Sequence, residues 1–301
     1  MGPIVYTRLS REAQKLLMGS MGSDENGVTR KQRREQARAN RKAAEEAAAS
    51  DAPRRKRLAQ LGGVVAVVVT AIVVILIATS GGGKSKALVV GSAETTKETA
   101  AVTSLLAGTT QKGTVLGSPT APVTLKYFGD LECPICADFT LGAFPTIIQK
   151  WVKTGKLKVE YHSVSTATGN AERDGSEPEG MFNKQQEAAL AAGKQNKAWD
   201  YIELFYHEQR EEGSGYVTEA FLQDLARQVP GLNLATWTSE RGNKAFLAEL
   251  TADNEEATNQ NLKGTPAFLI GKTGGNFKPY EYTSLTDPSG FEEAFENALP
   301  S

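Results

Sequence analysis

The chain has 301 residues, 40% hydrophobic and 23% charged, enough for a sizeable core in one or two domains. Its 34 Lys and Arg against 35 Asp and Glu leave a net charge of −1, which excludes a global electrostatic pull toward nucleic acid. Two cysteines in the whole chain exclude a fold stapled by several disulfides.

Residues 1–57 offer little that makes a core. Arg30, Lys31, Arg33, Arg34, Arg38, Arg41 and Lys42 stand against one acid, Glu35, and Arg54, Arg55, Lys56 and Arg57 follow. The stretch reads as a polar helix or a disordered tail. No aromatic residue lies within 30–57 to stack on bases, so a cytoplasmic flank near anionic lipid is favoured over nucleic-acid binding. From 58 to 83 there is no charged residue, and 61–79 is apolar almost throughout. That length suits one transmembrane helix, placed at 58–80. A cleaved signal peptide is disfavoured by the long preceding tail and by the length of the apolar run. The basic cluster before it, against only Lys84 and Lys86 after it, puts the N-terminus in the cytoplasm and the rest outside.

Residues 81–112 read as an extracytoplasmic linker of glycine and small residues, with a short helix over 100–106. The globular part is expected from 113 to 301. Its first clear element is a β-type run at 123–128, followed at once by Cys133 and Cys136 and then by a helix-type pattern of Phe139, Ala143, Ile147, Ile148 and Trp151. The pair therefore sits where a strand ends and a helix begins. Free N–H groups and the positive dipole end of a first helical turn favour an anion, so Cys133 is expected to be acidic. Pro134 suits the first helical position, since its missing N–H would have no partner there. A loop of two intervening residues gains little stability from cross-linking, so the pair reads as chemistry rather than as a staple.

Gly142 and Pro145 predict a break over 141–145. A strand is expected over 157–164, with His162 at a polar position, and a loop over 169–180. Residues 181–262 read as a helical insertion: Phe182, Ala189, Leu190, Trp199, Ile202 and Phe205, then Phe221, Leu222, Leu225 and Val229 behind a Thr218 N-cap, then Trp237, Phe246 and Leu250. His207 reads as a surface helix residue. A hairpin of 267–271 and 276–282 follows, and a last helix with Asp287 as N-cap, Pro288 at its first position and Phe291, Phe295 and Leu299 buried. The two histidines and two cysteines do not have the spacing of a zinc site.

The stretch from Gly117 through Asp130-Leu-Glu-Cys-Pro-Ile-Cys-Ala-Asp-Phe139 resembles the start of thioredoxin-like, DsbA-type thiol–disulfide oxidoreductases, in their membrane-anchored bacterial branch. Gly264-Thr-Pro-Ala-Phe-Leu-Ile-Gly271 is similar to that family's cis-proline loop. The resemblance implies an α/β thioredoxin-like fold with a helical insertion, preceded by the transmembrane helix. It implies Cys133 as attacking thiol, Cys136 as resolving thiol, and Thr265-Pro266 as the cis peptide facing them. It implies no cofactor. Its partners would be cysteine-containing exported clients, a membrane redox partner that reoxidises the pair, and the bilayer through 58–80. Two departures stand out. Tyr127 occupies the strand position where many relatives carry a buried acid, and Ile135 replaces the histidine that strong oxidants often hold between the cysteines. Asp130 and Glu132 read either as a proton relay or as solvated loop charges, the solvated reading being favoured. An oxidase of exported proteins is the expected function. A reductase or isomerase of the same fold, or a non-catalytic peptide-binding module, are the alternatives.

Overall fold

A computed structural model of the protein describes residues 88–300. The basic tail, the expected transmembrane stretch 58–80 and the start of the expected linker lie outside the described residues. Among the described residues no helix is long and apolar enough to cross a membrane.

The centre is strand β3 (Val123–Gly129), buried at six of its seven positions, as a strand covered on both faces must be. It pairs in parallel with β4 (Leu157–Ser163) and antiparallel with β5 (Ala267–Lys272). Short strands β1 (Gln111–Lys112), β2 (Val115–Leu116) and β6 (Phe277–Pro279) complete a six-stranded sheet in the order β1-β2-β4-β3-β5-β6. β4 alternates buried and half-buried residues, with Leu157, Val159, Tyr161 and Ser163 inward, as its period-2 pattern predicts. The β5–β6 hairpin forms as expected, with its second strand shorter than 276–282.

Helix α1 (Ala93–Leu106) precedes the sheet, and α2 (Pro134–Leu141) and α3 (Phe144–Ile147) follow β3. The break between α2 and α3 falls at Gly142, where a Cβ would lie 2.4 Å from the Asp138 carbonyl and 2.8 Å from that of Leu285. A π-helical turn, Ile148–Val152, continues to β4. Between β4 and β5 lie α4 (Ala167–Asp174), α5 (Met181–Gly193), α6 (Ala198–His207), α7 (Glu219–Gln228), α8 (Leu234–Glu240) and α9 (Lys244–Asn259). Helix α10 (Ser289–Ala298) closes the chain. This is an α/β sheet with a helical insertion, the fold expected. Its inner layer is aromatic: Phe139 lies 5.1 Å from Tyr127, 4.6 Å from Phe268 and 5.1 Å from Phe291 between ring centres. Such pairs contribute about 1 kcal/mol each beyond their burial.

Four expectations are corrected. The stretch 81–112 is not all linker: α1 spans fourteen residues, is capped by Ser92 and buries Val102 and Leu106. The short helix expected over 100–106 is its C-terminal half, and its first half carries too few apolar residues to be marked in the sequence. The stretch 169–180 is not all loop, since α4 covers its first part and the insertion begins there rather than at 181. His207 is not a free surface residue; its side chain is about a quarter exposed and its Nδ1 lies 2.7 Å from Glu98 of α1. The last helix starts one residue late, with Pro288 at the N-cap, although the Asp287 carboxylate still accepts the Ser289 N–H at 2.9 Å.

Candidate active site

β3 ends at Gly129, and Asp130-Leu131-Glu132 turns the chain into α2. Cys133 is therefore the N-cap residue, extended at φ −69° and ψ 117°, with Pro134 at the first helical position. Cys136 lies within the first turn, and its N–H reaches the Cys133 carbonyl at 3.1 Å. Cys133 is 6% exposed and Cys136 fully buried, and both are free thiols. The Cys133 thiol donates to the Thr265 carbonyl at 3.3 Å, and the Thr265–Pro266 peptide is cis. The fold thus brings together Cys133, Cys136, Thr265 and Pro266, with Cys133 and Thr265 132 positions apart in sequence.

The two sulfurs differ strongly. A hydrogen bond from the Cys136 thiol lowers Cys133 to about 7 against the opposing effect of burial, with help from the Thr265 side chain and the Cys136 N–H. Burial drives Cys136 well above its ordinary value, and the neighbouring Cys133 adds to this. Near neutral pH one thiol is therefore ready to ionise and the other is not. Reactivity follows the thiolate, so this asymmetry divides the roles.

Asp130 and Glu132 are not solvated; both are fully buried. Asp130 accepts from the backbone of Glu132 at 3.2 Å, Thr166 at 2.9 Å and Thr168 at 3.0 Å, and from the Thr168 hydroxyl at 2.5 Å. It thus caps the start of α4 from a distant loop, which is why a polar, glycine-containing segment becomes helical. Glu132 accepts from Gln185 Nε2 at 2.7 Å, while its other oxygen has no hydrogen-bond partner. Burial pushes Glu132 up to about 7 against the Gln185 hydrogen bond, and Glu177 and Asp130 push the same way.

Beneath the pair, the Tyr127 hydroxyl lies 3.3 Å from the Cys136 carbonyl oxygen, 3.1 Å from Thr140 Oγ1 and 3.3 Å from the Tyr206 hydroxyl. Burial raises Tyr127 well above its ordinary value, so it stays protonated and does not replace a buried acid as a base. Tyr206 donates to the Asp130 carbonyl at 3.2 Å, and Gln209 Nε2 to the carbonyls of Leu131 at 2.7 Å and Cys133 at 3.2 Å. The insertion therefore grips the cysteine loop from below. Sequence reasoning missed Thr166, Gln185, Tyr206 and Gln209; no local pattern marks them, since each acts across more than thirty residues.

Ile135 between the cysteines is 44% exposed, with Leu141 and Tyr282 also open to solvent. A groove of about 640 Å³ runs beside the cis peptide, lined by Gly264, Thr265, Pro266, Phe268 and Tyr282 among others. Among the described residues no cluster of three or more His, Cys, Asp or Glu is placed to hold a metal ion.

Comparison with known proteins agrees with this geometry. A family model described as Thioredoxin matches residues 109–285, more than half of the chain. Disulfide bond formation protein D of Bacillus subtilis is 27% identical over 175 residues, 56% of this chain and 72% of that protein. Probable disulfide bond formation protein D of Bacillus anthracis is 19% identical over 171 residues, 56% of this chain and 73% of that protein. The crystal structure of oxidised BdbD from Bacillus subtilis superposes with a TM-score of 0.51 at 23% identity, covering 64% of this chain and 97% of that one, which shows the shared fold. With a sheet, a cysteine corner and a cis-proline loop in this arrangement, the chain belongs to the thioredoxin family, as a DsbA-like thiol:disulfide oxidoreductase.

Proposed function

We propose that the protein introduces disulfides into exported proteins on the outer side of the cell membrane, with Cys133 as the exchanging thiol and Cys136 as its resolving partner. The observation that carries this reading is the split between the two sulfurs, one lowered to about 7 and the other pushed far up. In the oxidised enzyme a client thiolate attacks Cys133 Sγ. The Cys133–Cys136 bond breaks, its electron pair goes to Cys136, and Cys136 takes up a proton. A second client thiolate then attacks the client sulfur of the mixed disulfide. Cys133 leaves as a thiolate, the client gains its disulfide and the enzyme is left as the dithiol. An acidic Cys133 is a good leaving group, which favours this direction.

Thr265 and Pro266 would border the bound client. Proline has no N–H, so the loop presents the Thr265 backbone to an extended chain without competition from its own neighbour. Residues 58–80 would anchor the domain, with the tail 1–57 inside, the stretch from 81 outside, and 113–301 as the thioredoxin-like part. A membrane partner would reoxidise the dithiol by the reverse exchange. The test is the redox equilibrium in glutathione buffers, with Cys133→Ser as control. A potential of about −120 to −180 mV supports the oxidase; a value near about −270 mV supports a reductase. No exchange at all would leave a peptide-binding module.

A further inference from the structure

A second groove, of about 790 Å³, opens between helix α9 on one side and α4 and the start of α5 on the other. Leu247, Leu250, Thr251, Asn254, Glu255 and Thr258 recur at three- and four-residue intervals, so one face of α9 forms a wall of it. Leu250 and Phe182 are buried in the groove, and Leu247 is left 46% exposed. Of the residues that line it only Glu172 and Glu255 are charged, and no Lys or Arg is among them. Glu172 accepts the Phe182 N–H at 2.6 Å, which fixes its carboxylate at the groove. The side-chain amides of Asn183 and Asn259 add donors and acceptors suited to an extended backbone.

Two observations join this groove to the exchange site. Asn259 lines it and the adjoining Gln260 lines the groove beside the cis peptide, so the two meet at the end of α9. Ser165 also lines it, and the hydroxyl of the next residue, Thr166, lies 2.5 Å from that of Thr265, whose carbonyl accepts from the Cys133 thiol. A client that presents a cysteine to Cys133 carries chain on both sides of it. One side has the groove beside the cis peptide. From Leu247 to Asn259 the wall of the second groove runs about 18 Å, the length of about five residues of extended chain.

We propose that this second groove seats the client chain on the other side of its cysteine and selects clients with Lys or Arg there, through Glu172 and Glu255. This inference rests on the exchange role proposed for Cys133.

The test uses the full-length oxidised protein and two dithiol peptides of equal length, one with Lys flanking its cysteines and one with Glu in the same places. The rate at which each peptide reduces the protein is measured for wild type, Glu255→Lys, Thr251→Lys and Glu296→Lys. Wild type should be reduced faster by the Lys peptide, by about three- to tenfold, and this preference should shrink as salt is added. Glu255→Lys should abolish or reverse it. Thr251→Lys, which puts a cation on the same exposed face without removing an acid, should weaken it and decides the question if Glu255→Lys does not fold. Glu296→Lys makes the same charge change on α10, outside the groove, and should keep the preference. Wild type without a preference, or a preference that survives in folded Glu255→Lys or Thr251→Lys, overturns the proposal, and so does its loss in Glu296→Lys. Wild type that exchanges with neither peptide nor glutathione removes the exchange reading itself. Exchange at equal rates with both peptides removes only the groove.

Discussion

Glu132→Gln should stabilise the protein, and only above a defined pH. Glu132 is fully buried, one carboxylate oxygen has no hydrogen-bond partner, and its affinity for a proton is raised from an ordinary value near 4.5 to about 7. At about 1.36 kcal/mol per tenfold in proton affinity, that rise corresponds to about 3 kcal/mol. The sign follows from the direction. A group that binds its proton more tightly in the fold stabilises the fold while protonated, and that advantage is lost as pH rises from about 4.5 through about 7. Gln carries no charge to bury and keeps an oxygen to accept from Gln185. Its new amide group lacks an acceptor, which costs about 1 kcal/mol. The net expectation is a gain of about 2 kcal/mol at pH 8 that vanishes or reverses near pH 4. Urea unfolding of Lys84–Ser301, which forms one compact unit, measures both ends of this range. A variant less stable than wild type at pH 8, or a difference that does not change with pH, would refute the reasoning.

Two further outcomes are expected. Burial alone would lower His162, but the Asp253 carboxylate hydrogen-bonded to its Nδ1 at 2.7 Å and the Glu160 carboxylate 3.8 Å from its Nε2 raise it to about 9 from near 6.5, so its contribution is complete below about 6.5 and lost toward pH 9. The loss is up to about 3 kcal/mol, and Asp253→Asn should flatten it in the same unfolding titration. Ile135→His should bring a donor to the thiolate side of Cys133, moving its alkylation midpoint down by about one pH unit or more and making the pair more oxidising in glutathione buffers.

The strand–helix corner was legible because its signals are local. A β-type run, a cysteine pair and a proline suited to a first helical turn lie within about fifteen residues. The break at Gly142 was legible for the same reason. The cis-proline loop became visible through the resemblance, since most X–Pro bonds are trans and nothing local marks this one. The burial of Asp130 and Glu132 was not legible. Adjacent acids after a strand usually face water, and what keeps these inside are donors supplied by Thr166, Thr168 and Gln185 from other elements. Helix α4 was hidden by the same fact seen from its other end. Its cap is a side chain thirty-six residues upstream, and its own sequence shows two alanines, a glycine and polar residues with no large apolar residue at helical spacing. Of helix α1 only the second half was legible, because its buried apolar residues, Val102 and Leu106, both lie there and nothing apolar marks its first turns.

The aromatic layer under the cysteines has a consequence for where this protein can work. Both cysteines of the chain lie at the strand–helix corner, where exchange is proposed. Its architecture is held by Tyr127, Phe139, Phe144, Phe268 and Phe291 instead of by sulfur. Each turnover therefore passes electrons through a body that has no other thiol to scramble. The domain can fold before any oxidant reaches it, and the only oxidation it then needs is that of the pair itself.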